Sequence, residues 1–243
     1  MKRPFLIWLL LLQVSVTGLS QAITASELLD KSIAYHDPEG HWGSLEADLE
    51  ILATRPGGAD RMSYIHMEQD RSLFRICVEQ DGVTKKYALA GDHCELRYMG
   101  ETSFSESIAA SENLTCDRAR MLRDYYSYLY GLPMKLRDPG TQLQPGVERV
   151  RFHGKAYLAL EATYDPETGL DTWIFYFDPQ TYALGAYRFY HDRSKNDGEY
   201  ILLEGEARLG GMRLPKLRKW YRNDTGEFLG ADLLEAGRQV HLH

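Results

Sequence analysis

What is scarce in this 243-residue chain narrows its chemistry first. There are three cysteines, Cys77, Cys94 and Cys116, and their spacings match neither a zinc motif nor a thioredoxin-type Cys-x-x-Cys pair. No Gly-x-Ser-x-Gly elbow is present, and Ser44 in "HWGSLEAD" sits at a strand start, so a hydrolase nucleophile of that kind is excluded. The glycine pairs in "RPGGAD" and "GGMRLP" do not lead from a strand into a helix and make no phosphate cradle. Positive charge is also short. With 28 Lys and Arg against 35 Asp and Glu, and no basic cluster, a nucleic-acid or anionic-membrane partner is not expected.

Apolar runs are scarce too, apart from the first one. "MKRPFLIWLLLLQVSVTGLSQA" orders Lys2 and Arg3, an apolar stretch from Phe5 to Leu12, and small residues up to Ala22. That order predicts a signal peptide over 1–22, with export and no stable transmembrane anchor, because the apolar stretch is too short for a first reading as a span. Residues 23–243 are then expected to form a single domain. Export permits a disulfide. Cys77 lies in the apolar run "LFRICVE" and suits a small buried hydrophobe, which leaves Cys94 with Cys116 as the expected pair.

What is abundant is strand and turn. In "SLEADLEIL", Leu45, Ala47, Leu49 and Ile51 alternate with acids, and similar segments follow at 61–69, 72–79, 84–90, 93–99, 147–152, 156–164, 171–177, 185–191, 199–209, 213–222 and 227–235. Separators such as "EQDG", "DPQT" and "RNDTG" are turn chemistry, so consecutive strands should pair antiparallel. Two helices interrupt this pattern. One begins after Thr24 or Ser26 and stops at Asp37-Pro38; the other is capped by Thr115 and ends at Gly131 and Pro133. "TWIFYF" is apolar on both faces, so both sides of that strand need cover. The predicted fold is mainly β (α+β): a curved antiparallel meander forming an unclosed barrel, with the N-terminal and mid-chain helices packed on it.

This architecture resembles the periplasmic lipoprotein-carrier and lipoprotein-binding superfamily, whose fold is an unclosed barrel plugged by helices. The segments "YHDPEGHW", "NLTCDRARMLRDYYSYLYGLPMKLRDPGT", "DTWIFYFDPQTYALGAYRFYHDRSKNDGEYILLEGE" and "LPKLRKWYRNDTGEFLGAD" resemble a family of exported bacterial proteins of unknown function. The resemblance implies a periplasmic or secreted protein, and it carries over no catalytic residue and no cofactor.

Two sets of residues are candidate sites. Tyr126, Tyr130, Trp173, Phe175, Phe177, Tyr187 and Phe189 could wall a cavity for an apolar small molecule, a lipid or an acylated protein, or they could fill a core. Tyr35-His36-Asp37 is repeated as Tyr190-His191-Asp192. If the first helix's end approached the 192–198 turn, His36, His191, Asp192 and Asp197 could hold a divalent metal for hydrolysis. Otherwise "DRSKNDG" is a solvated hairpin tip. A third expectation is an interaction module of an envelope complex, docking through a sheet edge or the Tyr-rich helix. Oligomeric state is left open.

Overall fold

Thr24 opens helix α1 (Ala25–His36) with a reciprocal cap: Glu27 N–H donates to the Thr24 hydroxyl, and the Glu27 carboxylate accepts from the Thr24 backbone. The computed structural model describes residues 22–239; the signal segment expected over 1–22 lies outside them but for its last residue. Ala25, Leu28, Leu29, Ser32 and His36 form the buried face of α1. Among the described residues no helix is long and apolar enough to cross a membrane.

After α1 come strands β1 (Glu46–Thr54), β2 (Arg61–Glu68), β3 (Leu73–Gln80), β4 (Val83–Ala90) and β5 (His93–Tyr98), then the short helix α2 (Glu106–Ser111) and helix α3 (Cys116–Gly131). The second run comprises β6 (Thr141–Phe152), β7 (Lys155–Tyr164), β8 (Thr172–Phe177), β9 (Leu184–Tyr190), β10 (Glu199–Leu209), β11 (Met212–Arg222) and β12 (Phe228–Gln239). All pairings are antiparallel, and the order is β5-β4-β3-β2-β1-β12-β11-β10-β9-β8-β7-β6. Two local meanders therefore join at the β1–β12 seam. The sheet stays open between edges β5 and β6, and the helical segment carries the chain from one edge to the other.

The twelve expected strands are all present. β6 begins earlier than expected because a register irregularity between Leu143 and Val147 lets the strand pass Pro145 and Gly146. Helix α2, capped by Ser105, was not expected: "FSESIAAS" is too short for its period to stand out.

Rows of cross-strand neighbours make the core. One runs Leu49, Ile65, Ile76, Tyr87, Leu96 through β1 to β5, and another Leu160, Phe175, Tyr187, Ile201, Trp220 through β7 to β11. α3 lays Ala119, Leu122, Tyr126, Leu129 and Tyr130 into this interior, packing against β4 and β5, while α1 lies against β6 and β11. The other face of β8 is covered without a helix. Phe152 at the end of β6 stacks on Tyr176 at 4.3 Å, and Arg188 lies 5.1 Å from the Phe152 and Tyr190 rings. Tyr157, Ala159, Tyr176 and Ala186 form this separate small cluster.

Three ties fix α3. Cys94 of edge strand β5 is bonded to Cys116, the first residue of α3, as expected. At the other end, the Asp37 carboxylate accepts the His41 and Trp42 backbone N–H groups at 2.8 and 2.9 Å, seating the Trp42 ring on Gly131. A Cβ there would lie 2.3 Å from that ring, so only glycine fits. Between them, Arg218 donates to the Leu129 carbonyl at 3.0 Å. Cys77 departs from expectation: its side chain is half-exposed opposite Tyr64 and Lys86, because strand parity puts it on the face away from the core.

Candidate functional site

An open cleft of about 1240 Å³ lies beside α3. Tyr125 and Tyr128 of α3 form one wall, the turn at 165–171 another, and Trp173, Phe189 and Trp220 the sheet side. Parity explains its position. Trp173, Phe189 and Glu199 are direct cross-strand neighbours, two residues along the strands from the Phe175–Tyr187 row. The inner row is sealed by α3 and the outer one opens to the cleft.

The seven aromatics therefore divide. Phe175, Phe177, Tyr126, Tyr130 and Tyr187 are buried and packed in the core, whereas Trp173 and Phe189 are half-buried and line the cleft. Trp173 contacts Tyr128 at 5.4 Å and Phe189 at 4.9 Å between ring centroids. Tyr128 and Tyr164 share a 2.6 Å hydrogen bond, and burial pushes the Tyr164 hydroxyl up to about 12. Tyr125, Tyr128, Tyr164 and Trp220, absent from the sequence-derived set, are cleft residues. The helical spacing of the tyrosines in "RDYYSYLYG" pointed toward Tyr125 and Tyr128, and no pattern singled out Tyr164 or Trp220.

The rim is acidic. Asp124, Asp138, Glu167, Asp171 and Glu199 stand around the cleft with Arg55 and Lys135, while Asp232 and Arg61 line its deeper side. Lys135 pairs with Asp138, and Asp171 accepts from His191 at 2.7 Å. Burial pushes the Glu199 carboxyl up. It pushes Asp232 up as well, against the opposing pull of Arg61 and Arg218.

The two Tyr-His-Asp segments do not meet. His36 ends α1 at the opposite end of β9: its Nε2 accepts the Leu184 N–H at 2.9 Å, and Nδ1 donates to the Arg213 carbonyl at 2.6 Å. Seven residues separate Leu184 from His191, about 23 Å at strand rise. Burial lowers the pKa of His36 and its Nε2 lone pair is occupied, so it is a structural bridge. Asp192 and Asp197 close the turn. The Asp192 carboxylate accepts from the Ser194 N–H and hydroxyl, which hold it down at about 2, and Asp197 accepts the Asp192 N–H. The solvated-tip expectation describes this segment, and the His36–His191 metal set is corrected.

One other group, unforeseen in the sequence, brings metal-type side chains together among the described residues: Glu46, His66 and Glu68, on the face of β1 and β2 away from the core. His66 lies between Asp48 at 2.8 Å and Glu68 at 3.1 Å, while Arg238 and Arg71 hold the same carboxylates. His66, Asp48, Glu68, Arg71 and Arg238 form an ion-pair ladder on this face, with the Asp48 and Glu68 carboxylates already engaged.

No curated protein matches the sequence. Among solved structures, a LolA-superfamily protein from Nitrosomonas europaea superposes with a TM-score of 0.54 at 12% identity, covering 91% of this chain and 96% of its own. A DUF1329-family protein from Desulfovibrio piger gives 0.46 at 14% identity, over 90% and 94% of the two chains. An outer membrane lipoprotein-sorting protein domain, described as putative, from Vibrio parahaemolyticus gives 0.41 at 13%, over 89% and 93%. The first shares the fold of this chain. Residues 2–235 match the model of a family of unknown function, DUF6503, and the chain belongs to that family.

Proposed function

We propose that this protein is an exported, periplasmic, single-domain binding module that takes up the apolar chain of a lipid or acylated protein in the cleft beside α3. One observation carries the reading: a cleft of about 1240 Å³ walled by Trp173, Phe189, Trp220, Tyr125 and Tyr128 next to a sealed core. That volume exceeds the roughly 300–1,000 Å³ of ordinary small-molecule sites, and aromatic walls with polar tips suit a chain with a polar end. Each methylene withdrawn from water contributes about 0.8 kcal/mol, so six contribute about 5 kcal/mol before association costs. The LolA-superfamily fold supports the setting, since an open sheet lets a chain enter from one side.

The test separates wall from core. Trp173→Ser should weaken fluorescence-detected uptake of N-phenylnaphthylamine several-fold while lowering the denaturant midpoint less than a substitution in the sealed row does. Phe175→Ala, in the sealed row, should cost about 3–5 kcal/mol of stability. Absence of probe uptake by the native protein, together with no lipid released on denaturing protein taken from its own envelope, would end the proposal.

A further inference from the structure

Beneath the cleft floor the core holds a polar cluster. Arg218 is 1% exposed; its guanidinium lies 4.1 Å from the centroid of the Tyr130 ring and donates to the carbonyls of Leu129 and Pro215. Among the described residues no carboxylate forms an ion pair with it: Asp232 is its cross-strand partner in register but stays beyond ion-pair distance. Tyr187 and Tyr130 lie close enough to Arg218 and Asp232 to feel both charges. Nearby, Arg61 reaches the Tyr126 hydroxyl at 3.4 Å.

Four buried atoms here make no hydrogen bond of good geometry, Arg61 Nε, Arg218 Nε and the hydroxyls of Tyr130 and Tyr187, the last of which lies beside the Arg218 guanidinium. A buried polar group left unpaired costs about 1–3 kcal/mol, and native proteins keep few. All four carry a hydrogen to donate, and only the two hydroxyl oxygens can also accept. Two guanidinium groups face a single carboxylate, Asp232, whose burial disfavours its charged form. The cluster is therefore short of acceptors and of negative charge, and its complement is an acceptor oxygen carrying full or partial negative charge. Arg61 itself lines the cleft, as do Leu129, whose carbonyl Arg218 holds, and Asp232, the cross-strand neighbour of Arg218; Arg218, Tyr130 and Tyr187 do not line it.

We infer that Arg218, Arg61, Tyr130 and Tyr187 receive the carboxyl end of an acyl chain, whether free carboxylate or ester carbonyl, with the hydrocarbon lying in the cleft. This deepens the proposed function and rests on it. The acidic rim disfavours approach of free anions, so the preference must arise at the floor.

The experiment compares dodecanoic acid, methyl dodecanoate and dodecane as displacers of bound N-phenylnaphthylamine, using the native protein and a Tyr130→Phe/Tyr187→Phe double variant. The native protein should prefer the acid, the ester or both over the alkane by about tenfold or more. The double variant should lose that preference, keep its alkane affinity and unfold at an equal or higher denaturant concentration, since unpartnered hydroxyls contribute nothing to the unliganded fold. Loss confined to the acid would assign a free carboxylate, and equal loss for the ester would assign an ester carbonyl. The inference fails if the three displacers are equivalent, if the hydroxyls' removal leaves the preference intact, or if it destabilises the unliganded protein. Displacement by none of the three would refute the proposed function itself.

Discussion

Replacing Cys94 and Cys116 by serine removes a bridge across 22 residues. On the chain-entropy account, closing a loop of that length stabilises the fold by about 3 kcal/mol. At roughly 2–4 °C per kcal/mol for a chain of this size, the melting temperature should fall by about 6–12 °C. The loss should be concentrated at the start of α3. Without the bridge that end is held by Lys85 to Glu112 at 3.3 Å and by the Tyr87 hydroxyl to the Asn113 carbonyl at 3.3 Å, contacts of about 1 kcal/mol or less each. Calorimetry of the oxidised protein and the Cys94→Ser/Cys116→Ser variant measures the first effect. Amide exchange across 112–126 measures the second, as faster opening of α3 than of β7 to β9. A melting temperature within 1 °C of the parent, or uniform loss of protection over the whole sheet, would refute the view that the bridge holds α3 to the edge strand. Mapping of non-reduced peptides should join Cys94 to Cys116; a bridge from Cys77 would refute it outright.

His36 should make stability depend on pH. Because burial lowers its pKa below the ordinary 6.5, the unfolded chain binds the proton more readily. The His36 contribution is therefore intact above about pH 6.5 and falls by at most about 1.4 kcal/mol per unit as the pH drops below it. Urea unfolding of His36→Phe at pH 7.5, 6.5 and 5.5 should show a shallower decline than the parent, and parallel curves would count against the assignment. Gly131→Ala should cost about 1–3 kcal/mol, because the new methyl group meets the Trp42 ring. Pairing it with Trp42→Ala should recover part of the loss, which a double-mutant cycle in urea would detect.

Local chemistry in the sequence anticipated much of this. Thr115 caps α3 as expected and Thr24, one of two candidates, caps α1, and turn residues separated the strands within each meander. Strand order was hidden, because nothing in "EADLEILAT" says that its second partner is "FLGADLLEAGRQ" at the far end of the chain. The polar cluster was hidden for a related reason. In "LPKLRKWYR" Arg218 is one of four bases, and only the closing of α3 over β11 buries it. The same closure divides Phe175 from Trp173, neighbours on one face with different exposures. His36 and His191 share a tripeptide context, but only the direction of β9 places them at its two ends.

The β1–β12 seam also bears on synthesis. Asp48 and Arg238 are register partners, so the first strand made is completed by the last. Each meander can zip up from adjacent hairpins as it emerges, but β1 keeps one row of N–H and C=O groups unclaimed until β12 is threaded. That exposed ribbon is a template for pairing with another chain, and its lifetime is set by translation as well as by the folding rate of either half. Slowing delivery of β12 should raise aggregation far more than an equal delay within either meander.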